Sequence, residues 1–189
     1  MPPTTSVLRE DWDKRSACHA AFPVLEAFPA TDFLQVLTLL STRERSQAAT
    51  QEGRIAAISC KRRDVLRLEL PDYRRWADQV SDALTRVVRF LHGERIFTSG
   101  DLPYASQLVP LTAIVTVLGD RADSHRVNQH LRQWFWCGVF GELYGGSTET
   151  RFAFDLPEVL AWIDGGDEPR TVAESQFQAS RLLTLRTRN

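Results

Sequence analysis

Lysine is almost missing. Lys14 and Lys61 are the only lysines among 23 basic residues, and arginine supplies the rest. Codon usage in a GC-rich genome explains that bias as well as selection for forked guanidinium contacts with phosphate does. Cysteine is scarce too: Cys18, Cys60 and Cys137 stand far apart. Without a Cys-x-x-Cys pair, neither a zinc knuckle nor a disulfide framework is expected. Buried, reduced thiols of a cytoplasmic protein are expected instead. No apolar run reaches the roughly 18 residues of a membrane-crossing helix, so no membrane partner is expected. The longest run, Leu108 to Leu118, has the length of a buried helix. Met1 is followed by Pro-Pro-Thr-Thr-Ser and then charges, which does not resemble a secretory signal.

The usual catalytic signatures are also missing. There is no His-Glu-x-x-His pair for zinc and no Gly-x-Ser-x-Gly elbow. Gly145-Gly146-Ser147-Thr148 lacks the lysine and the strand–loop–helix setting of a phosphate-cradling loop. His125, Asn128 and His130 suggest a His-Asn-His nuclease, but that chemistry needs the three on separate elements. Here they share one predicted helix, where His125 and Asn128 lie on one face and His130 points elsewhere. Cys137 has no second cysteine near enough to complete a metal set with His130. The acids Asp64, Glu69, Asp72 and Asp78, and the later Asp164, Asp167 and Glu168, read as surface charge. No catalytic residue, metal or cofactor is predicted, and no enzymatic activity is expected of this chain alone.

What is present is a core. Hydrophobic residues make up 43% and aromatics 10%, enough to fold around. The formal net charge is −1, so attraction to nucleic acid would have to come from a local patch. Lys61-Arg62-Arg63 is the strongest basic cluster, read either as a solvated face beside Asp64 or as a phosphate-contacting patch. Arg151 closes a polar run after the double glycine. It either steadies the turn through Glu149 or Asp155, or belongs to a contact surface within the protein or facing DNA. Arg181, Arg186 and Arg188 complete the candidate nucleic-acid contacts.

The periodicities predict a mainly α fold of about seven helices, with at most a short strand near 66–70. Residues 1–21 read as a frayed tail and a short helix, and residues 22–189 as the helical domain. Thr31 is the expected N-cap of a buried helix ending near Ser41, followed by a surface loop or exposed helix end over 41–54. The clearest amphipathic stripe runs from Tyr73 to Leu91, behind Pro71 and before Gly93. A wholly apolar helix from about Ser106 to Leu118 should be central. Asp123 or Ser124 should cap the next helix, whose inward face is Val127, Leu131, Trp134, Phe135, Gly138 and Val139. That helix should reach about Tyr144 before a Gly145-Gly146 turn. Gly138 and Gly141 are expected at a close helix crossing. Asp155 should cap a last long helix with Pro157 in its first turn, and Thr171 to Glu174 fits a capping box.

Three stretches carry a family resemblance: AISCKRRDVLRLELPDYRRWAD, RFLHGERIFTSGDLPYASQLVPLTAIVTVLGD and WFWCGVFGELYGGSTETRFAFDLPEVLAWIDGG, the last most specifically over WFWCGVFGELYGGSTETR. Together with the closing LLTLRTRN they resemble the central-to-C-terminal helical part of GmrSD-type bacterial restriction and phage-defence proteins, over roughly residues 20–189. The resemblance implies an N-terminal ParB-like domain with a Asp-Gly-Gln-Gln-Arg motif for nucleotide hydrolysis and, often, a C-terminal His-Asn-His nuclease. Neither motif occurs here, so no catalytic residue carries over. It implies a fragment, a truncated gene or a split-gene subunit: a noncatalytic scaffold whose partners are DNA and nucleotide-hydrolysing and nuclease domains in the same or a separate chain. The alternative is a stand-alone nucleic-acid-binding module.

Overall fold

The computed structural model describes residues 3–146 and 148–175. It is mainly α, with eight α-helices and no strand among the described residues. They are α1 (Pro3–His19), α2 (Ala30–Gln51), α3 (Arg62–Val65), α4 (Leu70–Gly93), α5 (Leu108–Leu118), α6 (His125–Phe140), α7 (Glu149–Ile163) and α8 (Arg170–Ala173).

The most apolar helix is the axis of the fold. Every residue of LVPLTAIVTVL except Val117 is buried in α5, which touches α2, α4 and α7. A helix with no polar face satisfies its side chains only when surrounded. Helix α4, packed against it, is one-sided. In α4 the buried positions Tyr73, Ala77, Val80, Ala83, Leu84, Val87, Val88 and Leu91 are those of the predicted stripe, with Phe90 added and Trp76 half-buried. Glu69 and Asp72 form a reciprocal capping box at its start, behind Pro71. Asp72→Ala removes half of that box and the partner of Arg45. It should cost about 1 kcal/mol in urea denaturation; an unchanged midpoint would show that the box adds nothing.

Several local expectations change. Residues 3–6, expected in the tail, belong to α1, because Pro3 suits a first helical turn. The helix then docks firmly. Trp12 lies 5.1 Å from the Phe33 ring, the Tyr73 hydroxyl donates to Asp11 at 2.6 Å, and Arg15 donates to the Ala77 carbonyl at 3.2 Å and the Ser81 hydroxyl at 2.9 Å. Thr31 is not the cap of α2, which begins at Ala30 behind Pro29. Nor does α2 stop near Ser41. It runs to Gln51, because Arg, Glu, Gln and Ala after Ser41 are good helix formers and nothing breaks the chain before Gly53, at φ +71°. The 66–70 stretch is no strand: a turn at Leu66 and Arg67 leads into the cap of α4. Asp82 and Arg86 stand four residues apart on α4, a spacing that suits an ion pair, but Arg86 turns to Asp120, at 2.5 Å, and to Asp123.

The helix ends also differ. Beyond Gly93 the left-handed residue is Arg95, at φ 66°, with the Ile96 amide donating to the Leu91 carbonyl at 2.9 Å. Helix α6 is capped by Ser124 as expected, but stops at Phe140 rather than near Tyr144. Its left-handed turn residue is Glu142, at φ 54°, with the Leu143 amide donating to the Gly138 carbonyl at 3.0 Å. The Gly145-Gly146 pair is not what reverses the chain. A Cβ on Gly141 would meet mainly its own neighbours Cys137 and Leu143, so no helix crosses there.

A buried carboxylate hub as the candidate site

Asp155 is the largest departure from the sequence reading. It caps nothing: α7 already starts at Glu149, so Asp155 lies mid-helix with Pro157 inside the helix. Its neighbours on the inner face are Phe152, Leu156, Val159, Leu160 and Ile163, all buried, and Asp155 is only 1% exposed. A carboxylate there needs partners, because burying an unpaired charge is costly. Three donors from three other segments converge on it. From α6, the Trp134 indole donates to Oδ1 at 3.1 Å. From the turn after α6, the Tyr144 hydroxyl donates to Oδ2 at 2.5 Å. From α8, the Thr171 hydroxyl donates to Oδ1 at 2.6 Å.

An outer ring holds the third donor. Arg151, one turn before Asp155 on α7, donates to Thr171 Oγ1 at 3.0 Å and to Glu174 at 2.9 Å. Thr171 is therefore no helix cap. Helix α8 begins behind Pro169, and its threonine faces inward. Burial pushes the Asp155 carboxyl above the usual carboxylate range, and the hydrogen bonds from Thr171, Tyr144 and Trp134 pull it only part of the way back. Burial and the adjacent Asp155 charge hold the Tyr144 phenol well above its ordinary value. Sealed from water and supplied with three donors, the carboxylate joins four chain segments; as placed, it is not open to an external substrate.

The candidate nucleic-acid residues are distributed as follows. Lys61 precedes α3, and Lys61, Arg62 and Arg63 are all exposed. Asp64 lies 3.5 Å from Arg63 Nε and accepts from the Ser59 hydroxyl at 2.6 Å, which holds the acid below its usual range. The Cys60 thiol lies 4.0 Å from the Glu149 carbonyl, which brings the basic run beside the start of α7. Burial pushes that thiol up to about 12. Arg151 is on the same helix, but its guanidinium is directed to Thr171 and Glu174. Arg181, Arg186 and Arg188 lie outside the described residues.

The histidine–asparagine group is spread along α6. Asn128 donates to the Ala122 carbonyl at 2.7 Å, and His130 stands edge-on to Trp162 with ring centroids 4.3 Å apart. Among the described residues no group of three or more His, Cys, Asp or Glu side chains could hold a metal ion. No described helix is long and apolar enough to cross a membrane.

A second feature is a cleft of about 200 Å³ between α4 and α6. Its floor is Phe90, Val115 and Leu131, and its rim carries Arg86, Arg89, Asp123, Glu94 and Arg132. The rim charges are paired, with Arg86 and Arg89 sharing Asp123. Arg89 meets Asp123 at 2.8 Å, and Glu94 accepts from Arg132 at 2.7 Å and from the Trp136 indole at 2.8 Å. This volume falls below the roughly 300–1,000 Å³ of small-molecule pockets.

Sequence reasoning missed the roles of Trp134, Tyr144, Asp155 and Thr171 as one unit. A signal existed for Asp155. Phe152, Asp155, Leu156, Val159 and Ile163 follow helical spacing, so starting the helix at Glu149 would have put an acid on its apolar face.

No family model matches the chain, and no solved structure matches it. Among curated proteins, an uncharacterized protein of Methanocaldococcus jannaschii is 28% identical over 128 residues, covering 62% of this chain and 20% of the archaeal protein. The chain is thus similar to about a fifth of that relative's length.

Proposed function

We propose that the chain is a noncatalytic helical scaffold of a GmrSD-like DNA restriction and defence protein of the cytoplasm, linking nucleotide-hydrolysing and nuclease domains. One observation carries this reading. The stretch that resembles the family most specifically, WFWCGVFGELYGGSTETR, supplies Trp134, Tyr144 and Arg151, and these residues serve the interior. A stretch that builds a hub between helices suits a part that holds others in place. The archaeal relative, in which the similar stretch is 20% of the length, fits a segment used inside larger proteins. The test is the intact mass of the native protein from its source cells, together with assays of the purified chain. A mass well above 21.5 kDa is expected, with no GTP turnover and no DNA cleavage by the isolated chain in divalent metal. Enzyme-like rates from this chain alone would sink the proposal.

A second reading, a stand-alone nucleic-acid-binding module, is favoured by the exposed basic run. The side chains of Lys61 and Arg62 make no ion pair among the described residues. If they contact phosphates, binding of duplex DNA should weaken with a log–log salt slope of about 0.9 per phosphate neutralised. Lys61→Ala with Arg62→Ala should then lower that slope by up to about 2. Fluorescence anisotropy at several salt concentrations checks it. Binding that ignores salt, or the double substitution, would count against this reading.

A further inference from the structure

We propose that residues 164–175 form a strap that opens as a unit while the helical body stays folded, hinged at Gly165 and latched by the Thr171 hydroxyl between Asp155 and Arg151. The inference is independent of the defence-protein reading. It starts from how differently this segment is held. Helix α5 has ten buried residues, whereas the strap buries only Pro169, Thr171 and Val172. Helix α8 spans four residues, too short to persist without docking. The connection back to α7 is loose. Gly165 sits at φ +98°, residues 164–168 are exposed, and after the Gly166 amide bonds the Ala161 carbonyl at 2.9 Å, Gly166 to Pro169 follow without regular secondary structure. Local opening is drawn from segments with few buried apolar contacts.

What holds the strap is polar and specific. Thr171 Oγ1 donates to Asp155 and accepts from Arg151, Glu174 takes the other arm of Arg151, and Arg170 meets Glu158 at 2.9 Å while its guanidinium lies 4.0 Å above the Phe154 ring. Glu174 is exposed and Glu158 half-buried, so the one fully buried polar fastening is the threonine. Opening would uncover Asp155 Oδ1 and Arg151 together, an acceptor and a cation spaced to hold a hydroxyl and an adjacent carboxylate. In the closed form the strap itself occupies this receptor, with Thr171 as the hydroxyl and Glu174 as the carboxylate.

The Trp134 indole proton reports on the latch, because it shares Asp155 Oδ1 with Thr171. Native-state hydrogen exchange of the full chain is followed at that proton and at the α5 amides. The wild-type indole proton is expected to exchange at least tenfold faster than the slowest α5 amides. Thr171→Val, which keeps size and removes the hydroxyl, should speed it about tenfold further, the scale of one lost hydrogen bond, with α5 unchanged and Thr171→Ser restoring the wild-type rate. An indole proton that exchanges as slowly as α5 in the wild-type protein overturns the strap, even if Thr171→Val fails to fold. So does a Thr171→Val variant that accelerates the indole and α5 equally.

Discussion

Asp155→Ala should destabilise the protein by about 3–5 kcal/mol. The substitution leaves the Trp134 indole, the Tyr144 hydroxyl and the Thr171 hydroxyl inside the fold without their acceptor. A buried donor stripped of its partner costs about 1–3 kcal/mol. The cost of burying the carboxylate, removed with it, offsets part of the sum. Urea denaturation monitored by tryptophan fluorescence measures the effect, and a loss below about 1 kcal/mol would mean that the hub does not hold the helices together. Asp155→Asn tests the charge. The folded-state pKa of Asp155 is raised above the ordinary 3.8, so the native protein takes up this proton at a higher pH than the unfolded chain does. Its contribution to stability therefore grows as pH falls through the raised value, and levels off below the unfolded one. The stability of the wild-type protein relative to Asp155→Asn should rise as the pH is lowered from neutrality toward the ordinary 3.8. A fall over that range would place the carboxyl below its usual value.

Gly138→Ala is the second large effect, at about 2–3 kcal/mol of destabilisation. On most helices this exchange is favourable by about 1 kcal/mol. Here a Cβ would stand 2.5 Å from the Tyr144 ring and 2.8 Å from the Gln107 side-chain nitrogen. Neither can give way freely. The Tyr144 hydroxyl is bound to Asp155, and Gln107, fully buried, donates to the Phe135 carbonyl at 3.0 Å. Overpacking a tight site typically costs about 1–3 kcal/mol. Thermal and urea denaturation should both show the loss. A variant as stable as wild type would mean that Tyr144 can swing away, and that its bond to Asp155 contributes little.

The two substitutions touch one assembly, which explains how the sequence could describe the fold and still miss its centre. Gly138 was expected at a close approach, and a close approach is there. The partners are the Gln107 side chain and, closest, the Tyr144 ring folded back from the following turn. That ring arrives because Glu142, not a glycine, takes the left-handed conformation. A side chain in that conformation is uncommon enough that turn chemistry points to Gly145 and Gly146 instead. Asp155 misled in a similar way. An acid before a proline at the start of an apolar run is the usual pattern of a helix start. Only packing shows that the helix had already begun six residues earlier and had turned the acid inward.

Apolar periodicity alone was enough for the helical class, the central place of Leu108–Leu118, the buried stripe of α4 and the inner face of α6 around Leu131, Trp134 and Phe135. Hydrophobic burial is non-directional and set by spacing, so a local pattern is sufficient for it. The meeting of Trp134, Tyr144, Asp155, Arg151 and Thr171, and the inward turn of α8, belong to the tertiary structure. A hydrogen bond requires atoms from distant segments to meet within about 3 Å, and no single stretch of chain contains that geometry.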